Sequence, residues 1–118
     1  LKVWFEEGCM SLSGPATAAL RAIEKGEKGS EIALGTLHAI VKGLYHTISH
    51  LCAVHKLTEV LFVGGVSANL YIRKELRTHL SGKGIALLTA DPICSTDGAI
   101  GNAWLGVLKE RGNAHDLR

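Results

Sequence analysis

The segment Glu59-Val60-Leu61-Phe62-Val63-Gly64-Gly65 restricts the possible folds of this chain more than any other stretch. A short, nearly continuous apolar run that ends in paired glycines and passes into a helical pattern reads as a buried parallel strand feeding a crossover helix. Parallel strands require such crossovers, which points to an α/β layer with right-handed connections. Ser67 to Leu80 reads as that helix, with Ala68, Ile72, Leu76 and Leu80 inward and Arg73, Lys74 and Arg77 outward. Gly82 and Gly84 end it, and Ile85 to Thr89 forms the next strand. Asp91-Pro92 then breaks the chain, and Ser95 or Thr96 caps a last helix to Arg111, ahead of a frayed tail at 112–118.

The first half is helical after an extended lead-in. Val3, Trp4 and Phe5 are strand formers stopped by Gly8, and they suit the last strand of a larger sheet. Ser13 or Gly14 can cap a helix with Pro15 at its first position, running from Ala16 to Lys25. Ser30 can cap a much longer helix ending near His55. In it Leu37, Ile40, Val41, Leu44, Ile48 and Leu51 recur at spacings of three and four, which stacks them on one stripe. Gly35, Ala39 and Gly43 form a ridge of small residues on another face, so this helix packs on two sides. Two strands alone make a poor sheet; the others must come from the lead-in, a partner copy or sequence outside this chain.

Composition narrows the class. With 118 residues, 47% of them hydrophobic, and a net charge of +2, the chain can bury a core and is too apolar for disorder. No uninterrupted run of roughly 18 apolar residues appears, so no membrane span is expected. Cys9, Cys52 and Cys94 cannot all pair and lack C-x-x-C spacing, which fits a reducing, cytoplasmic setting. The sequence opens on Leu1 and carries no basic leader with an apolar core, so it reads as a piece of a longer chain without a secretory signal.

Two strand-to-helix corners could carry chemistry. At Phe62-Val63-Gly64-Gly65-Val66-Ser67-Ala68-Asn69, glycines let backbone and ligand approach closely, and free N–H groups favour a phosphate or ribose edge. Asn69 adds an amide that both donates and accepts. The plainer reading is a tight turn that serves packing alone. At Cys94-Ser95-Thr96-Asp97-Gly98-Ala99, the Asp97 carboxylate could ligate a cation or simply favour a helix dipole. His46 and His50 have the i, i+4 spacing of a zinc pair. They sit opposite the apolar stripe without a third ligand or an H-E-x-x-H glutamate, so a packing or solvent-facing role is expected. His38, His55, His79 and His115 show no partner pattern, and Arg73, Lys74, Arg77 and Lys83 read as a solvated basic face rather than a nucleic-acid surface.

In this order, the motifs resemble the C-terminal part of the TsaD family of tRNA adenosine threonylcarbamoyltransferases, once called glycoproteases. Met10-Ser11-Leu12-Ser13-Gly14-Pro15-Ala16-Thr17-Ala18 is similar to the family's S-F-S-G-x-x-T-A segment, and Leu61 to Asn69 to its strand and G-G-V-[SA]-A-N turn. Tyr71-Ile72-Arg73-Lys74-Glu75-Leu76 resembles the following helix, and Ser95-Thr96-Asp97-Gly98 stands where the family has C-T-D-N. The resemblance implies a partial actin-like ATPase (ribonuclease H-like) lobe, a short, mostly parallel sheet flanked by helices, with residues 1–111 as the distal part of a C-terminal lobe. It implies ATP or threonylcarbamoyl-adenylate bound at Gly64, Gly65, Val66 and Asn69, and a divalent metal, zinc or iron, ligated by Asp97. The implied partners are a nucleotide, tRNA through the parent protein, the missing N-terminal lobe, and protein partners or a second copy.

The departures are Ser95 for Cys, Gly98 for Asn and Pro15-Ala16 for Leu-Lys, the pattern of a divergent member. No H-x-x-x-H pair stands in the family's place, so this chain alone is expected to be inactive, because an oriented two-sided site needs both walls. Two other readings stay open: a carbamoyltransferase or kinase of another actin-like branch, and a non-catalytic interaction module. The transferase reading requires the backbone after Phe62 and the Asp97 carboxylate to meet at one rim of one sheet.

Overall fold

The computed structural model describes residues 1–91, 95 and 99–110, with side chains described to 91, at 95 and over 101–107. The element order is β1 (Trp4–Glu6), β2 (Cys9–Ser11), α1 (Ser13–Glu24), α2 (Gly29–His55), β3 (Glu59–Phe62), α3 (Leu70–Ser81), β4 (Ala86–Thr89) and α4 (Ala99–Glu110). A short 3₁₀ turn, Gly65–Ala68, lies between β3 and α3. The expected α/β alternation in the second half is present. Strands β3 and β4 are parallel, pairing Glu59 with Ala86 through Phe62 with Thr89.

The lead-in does not extend that sheet. It folds on itself as an antiparallel hairpin, Trp4 opposite Ser11 and Phe5 opposite Met10. Its two-residue loop has Glu7 at φ 48° and Gly8 at φ 82°, both left-handed, as in the type I′ turn whose twist suits a hairpin. The hairpin lies on α2 at the small-residue ridge. A Cβ on Gly43 would stand 2.6 Å from the Met10 sulfur and 3.3 Å from Val3 Cγ1, so the absent side chain is what admits the hairpin. Helix α1 packs farther along the same helix, where Leu12, Pro15 and Ala16 line a small cavity with Thr36, Ala39 and Ile40. The long helix thus has the two packing faces that its sequence implied, although Leu51 at the end of the apolar stripe is exposed.

The core of the second half joins Ile48 and Cys52 of α2, Leu76 and Leu80 of α3, and Ile85 and Leu87 at β4. Val60 and Phe62 of β3 pack against it, with Leu44 and Tyr45. Burial of such side chains contributes roughly 1.5–3 kcal/mol each, the dominant favourable term. Among the described residues, only one face of the sheet is covered. Leu61 is 64% exposed, Val63 55% and Leu88 48%, so the strand that reads as buried on both sides is half-buried. Its continuous apolar run requires a second layer that these residues do not supply. Among the described residues, no helix is long and apolar enough to cross a membrane.

Candidate functional site

Parallel pairing sends both strand exits to one rim. The turn after Phe62 and the segment after Thr89 therefore leave the sheet side by side, at the carboxyl ends of strands where open α/β sheets bind ligands. The two strand exits share this rim, and the convergence expected from the sequence further requires Asp97. Asp97, the expected metal ligand, lies outside the described residues, as do Cys94, Thr96 and Gly98.

The turn after β3 is built by Gly64 and Ser67. Gly64 has φ 97° and ψ 172°, a region open in practice only to glycine. Its carbonyl accepts from both the Ser67 amide at 2.9 Å and the Ser67 hydroxyl at 2.8 Å, and Ser67 is fully buried. Gly65 differs: its φ is ordinary, and no described atom lies within 4 Å of where its Cβ would be. Among the described residues, neither backbone geometry nor internal packing requires a glycine there, and the backbone is open to approach. The N–H groups of Gly65 and Val66 open the 3₁₀ turn, where its own ladder provides no acceptor.

Asn69 has a local duty that its sequence position only hinted at. Its Oδ1 accepts from the Ile72 amide at 3.1 Å and so caps α3, which starts at Leu70 rather than at Ser67. The capping oxygen is used, and among the described residues the amide NH₂ at the exposed rim has no partner. Gly64, Gly65, Val66 and Asn69 are all exposed.

Arg73 is the rim residue that the sequence pattern places wrongly. It is buried, 8% exposed, instead of lying on an outer basic face. Its Nε donates to the Ser67 carbonyl and its Nη2 to Ser95 Oγ at 3.3 Å. Arg77 reaches the same end of β4, donating from Nη2 to Thr89 Oγ1 at 3.4 Å. Helical phase alone left Arg73 beside Ile72 at the border of the inward face; the signal that would have moved it is a pair of acceptors, one of them 22 residues away.

The histidines gather elsewhere. Phe5 of the hairpin packs on His46, with ring centroids 5.6 Å apart, and on His50 at 5.9 Å, the packing role expected for this pair. His38 and His79 do have partners: the Tyr71 hydroxyl meets His38 Nε2 at 2.5 Å, and Tyr45 packs on His79 at 5.6 Å. His38, Tyr45, His46 and His79 line a cleft of about 360 Å³ between α2 and α3, together with Val41, Lys42 and Glu75. Among the described residues, no group of three or more His, Cys, Asp or Glu side chains is placed to hold a metal ion. Cys9 and Cys52 are free thiols.

Residues 2–102 match the family model described as carbamoyltransferase, Kae1-like domain, second subdomain. The chain is 33% identical over 95 residues to a tRNA N6-adenosine threonylcarbamoyltransferase of Nitrosomonas eutropha, covering 76% of this chain and 28% of that protein. It is 30% identical over 103 residues to a probable bifunctional tRNA threonylcarbamoyladenosine biosynthesis protein of Methanocaldococcus jannaschii, covering 86% and 19%. A tRNA N6-adenosine threonylcarbamoyltransferase of Methanopyrus kandleri is 28% identical over 99 residues, covering 84% and 29%. The chain spans less than a third of the length of each of these relatives.

Proposed function

This chain belongs to the Kae1-like carbamoyltransferase domain family, as its second subdomain, and from that premise we propose that it forms one wall of a nucleotide site in a TsaD-like threonylcarbamoyltransferase acting on tRNA adenosine. The family has a first subdomain, which supplies the facing wall of an actin-like cleft. Residues 1–111 are then the distal part of the second lobe, and the wall has no activity by itself, because reacting groups held on one side only are not oriented.

The observation that carries this reading is Gly65: a glycine with ordinary φ, open space above it and unladdered N–H groups, at the strand-exit rim. ATP or an acyl-adenylate would lie with its phosphates or ribose over Gly64, Gly65 and Val66, and the Asn69 amide would donate to it. With a threonylcarbamoyl-adenylate, the acceptor amine of a tRNA adenosine attacks the carbamoyl carbon. A C–N bond forms, the C–O bond of the mixed anhydride breaks, AMP leaves and the amine loses a proton. Fixed donors near the departing phosphate steady the charge that grows there.

The resemblance also assigns a divalent metal to Asp97. Described side chains of this chain do not assemble a metal centre, so Asp97 would be one ligand of a site completed by the first subdomain, and no step above passes through it.

Isothermal titration of the complete protein with ATP, with and without zinc or iron, tests the reading. Uptake of one nucleotide per chain supports it. No heat in any titration, with subunit association retained, favours the interaction module. The second reading, a carbamoyltransferase with another acceptor, draws on the family description, which names carbamoyl transfer without naming tRNA. Transfer to unmodified tRNA separates the two.

A further inference from the structure

We propose that Arg73 is the positioning residue of this rim: its guanidinium fixes the Gly64–Ala68 turn relative to Ser95, and with it the placing of the backbone N–H groups that face the nucleotide. The proposal rests on the nucleotide reading above.

Arg73 stands four residues after the cap of α3, near the positive end of the helix dipole, where a cation is disfavoured. It is nonetheless buried. A guanidinium is held in such a place only if its donors are used. Nε donates to the Ser67 carbonyl and Nη2 to the Ser95 hydroxyl, so one planar group joins the segment leaving β3 to the segment leaving β4. Both acceptors are themselves fixed. Ser67 is tied to the Gly64 carbonyl through its amide and its hydroxyl, and buried Ser95 donates its hydroxyl to the Asp91 carbonyl at 3.1 Å. A change at the guanidinium therefore reaches Gly64 through two short links. Ser95 also precedes Asp97 by two residues in the sequence. The rigid fork suits this duty, whereas lysine would present a point charge on a flexible stem.

Two measurements on the complete protein test the clamp: isothermal titration with ATP, and hydrogen exchange at the Ser67 and Asn69 amides, which donate to the Gly64 and Val66 carbonyls. Arg73→Gln is expected to weaken ATP binding about ten- to a hundredfold, the scale of a lost charged hydrogen bond. Arg73→Lys recovers little of it, and Ser95→Ala loses about two- to tenfold on the same scale. Exchange at Ser67 and Asn69 quickens in all three variants while the global melting transition stays in place. Equal ATP affinity in the unsubstituted protein and in Arg73→Lys and Ser95→Ala overturns the clamp, and these two variants decide if Arg73→Gln does not fold. Should the unsubstituted protein take up no ATP, the nucleotide reading fails; the clamp is then judged on exchange alone, and unchanged protection in Arg73→Lys and Ser95→Ala ends it.

Discussion

The two faces of the β3–β4 sheet are made from the same kinds of residue and have opposite fates. On one face Val60, Phe62 and Leu87 meet Ile48, Cys52, Leu76 and Leu80; on the other Leu61, Val63 and Leu88 face outward. Period-two alternation places neighbours in a strand on opposite faces, so a continuous apolar run states that both faces need cover and does not state who provides it. The described residues cover the inner face and leave the outer face open. The same division separates the turn residues: Ser67 and Arg73 are locked inside, while Gly64, Gly65 and Val66 form an open rim.

The strongest test of this contrast is a pair of truncations. Leu76 is fully buried, and Leu76→Ala is expected to lower unfolding stability by about 2–5 kcal/mol in urea denaturation, from lost transfer energy and the cavity left behind. Leu61→Ser, on the open face, is expected to change it by no more than about 0.5 kcal/mol while this face is uncovered. A large loss from Leu61→Ser in the complete protein would locate the missing layer on this face. Equal, small losses at both positions would break the contrast.

A smaller effect is expected where α2 takes the hairpin. Gly43→Val drives a branched side chain toward Met10 and Val3, and overpacking of this kind costs about 1–3 kcal/mol. The loss should appear first as faster exchange in β1 and β2, with the β3–β4 core protected, because the hairpin packs chiefly on α2.

How much of this was legible in the sequence depends on the range of the interactions. The β3–α3–β4 unit is encoded locally: an apolar run, a Gly-Gly stop, a helical period and a second run lie within about one crossover unit, and the small ridge of α2 announced a close approach. The hairpin was half legible. Gly8 gave the stop, but Glu7 is not a residue that advertises a left-handed φ, so the chain reversal stayed hidden. Arg73 was misread because a charged residue at the border of a helical face has no preferred side until its acceptors are placed, and Ser95 comes from beyond β4. His38 and Tyr71 show the same blindness, meeting across 33 positions. At the rim, the pairing of two strand exits follows from parallel order alone, whereas the unequal roles of the two glycines needed backbone angles.

That inequality gives the finest test. Gly64→Ala places a side chain at φ 97°, and a strained conformation of this type costs about 1–3 kcal/mol. Gly65→Ala meets open space at an ordinary φ, so its stability should match that of the unsubstituted protein to within about 0.5 kcal/mol. If the rim is only a turn, Gly65→Ala should then be silent in every measurement. If ATP lies against the backbone there, the added methyl fills the space that the ligand needs, and titration should show clearly weaker binding with an unchanged melting curve. A variant that is stable and binds ATP as before would show that the open backbone at Gly65 is not used by a ligand, and would remove the physical support for a nucleotide at this rim.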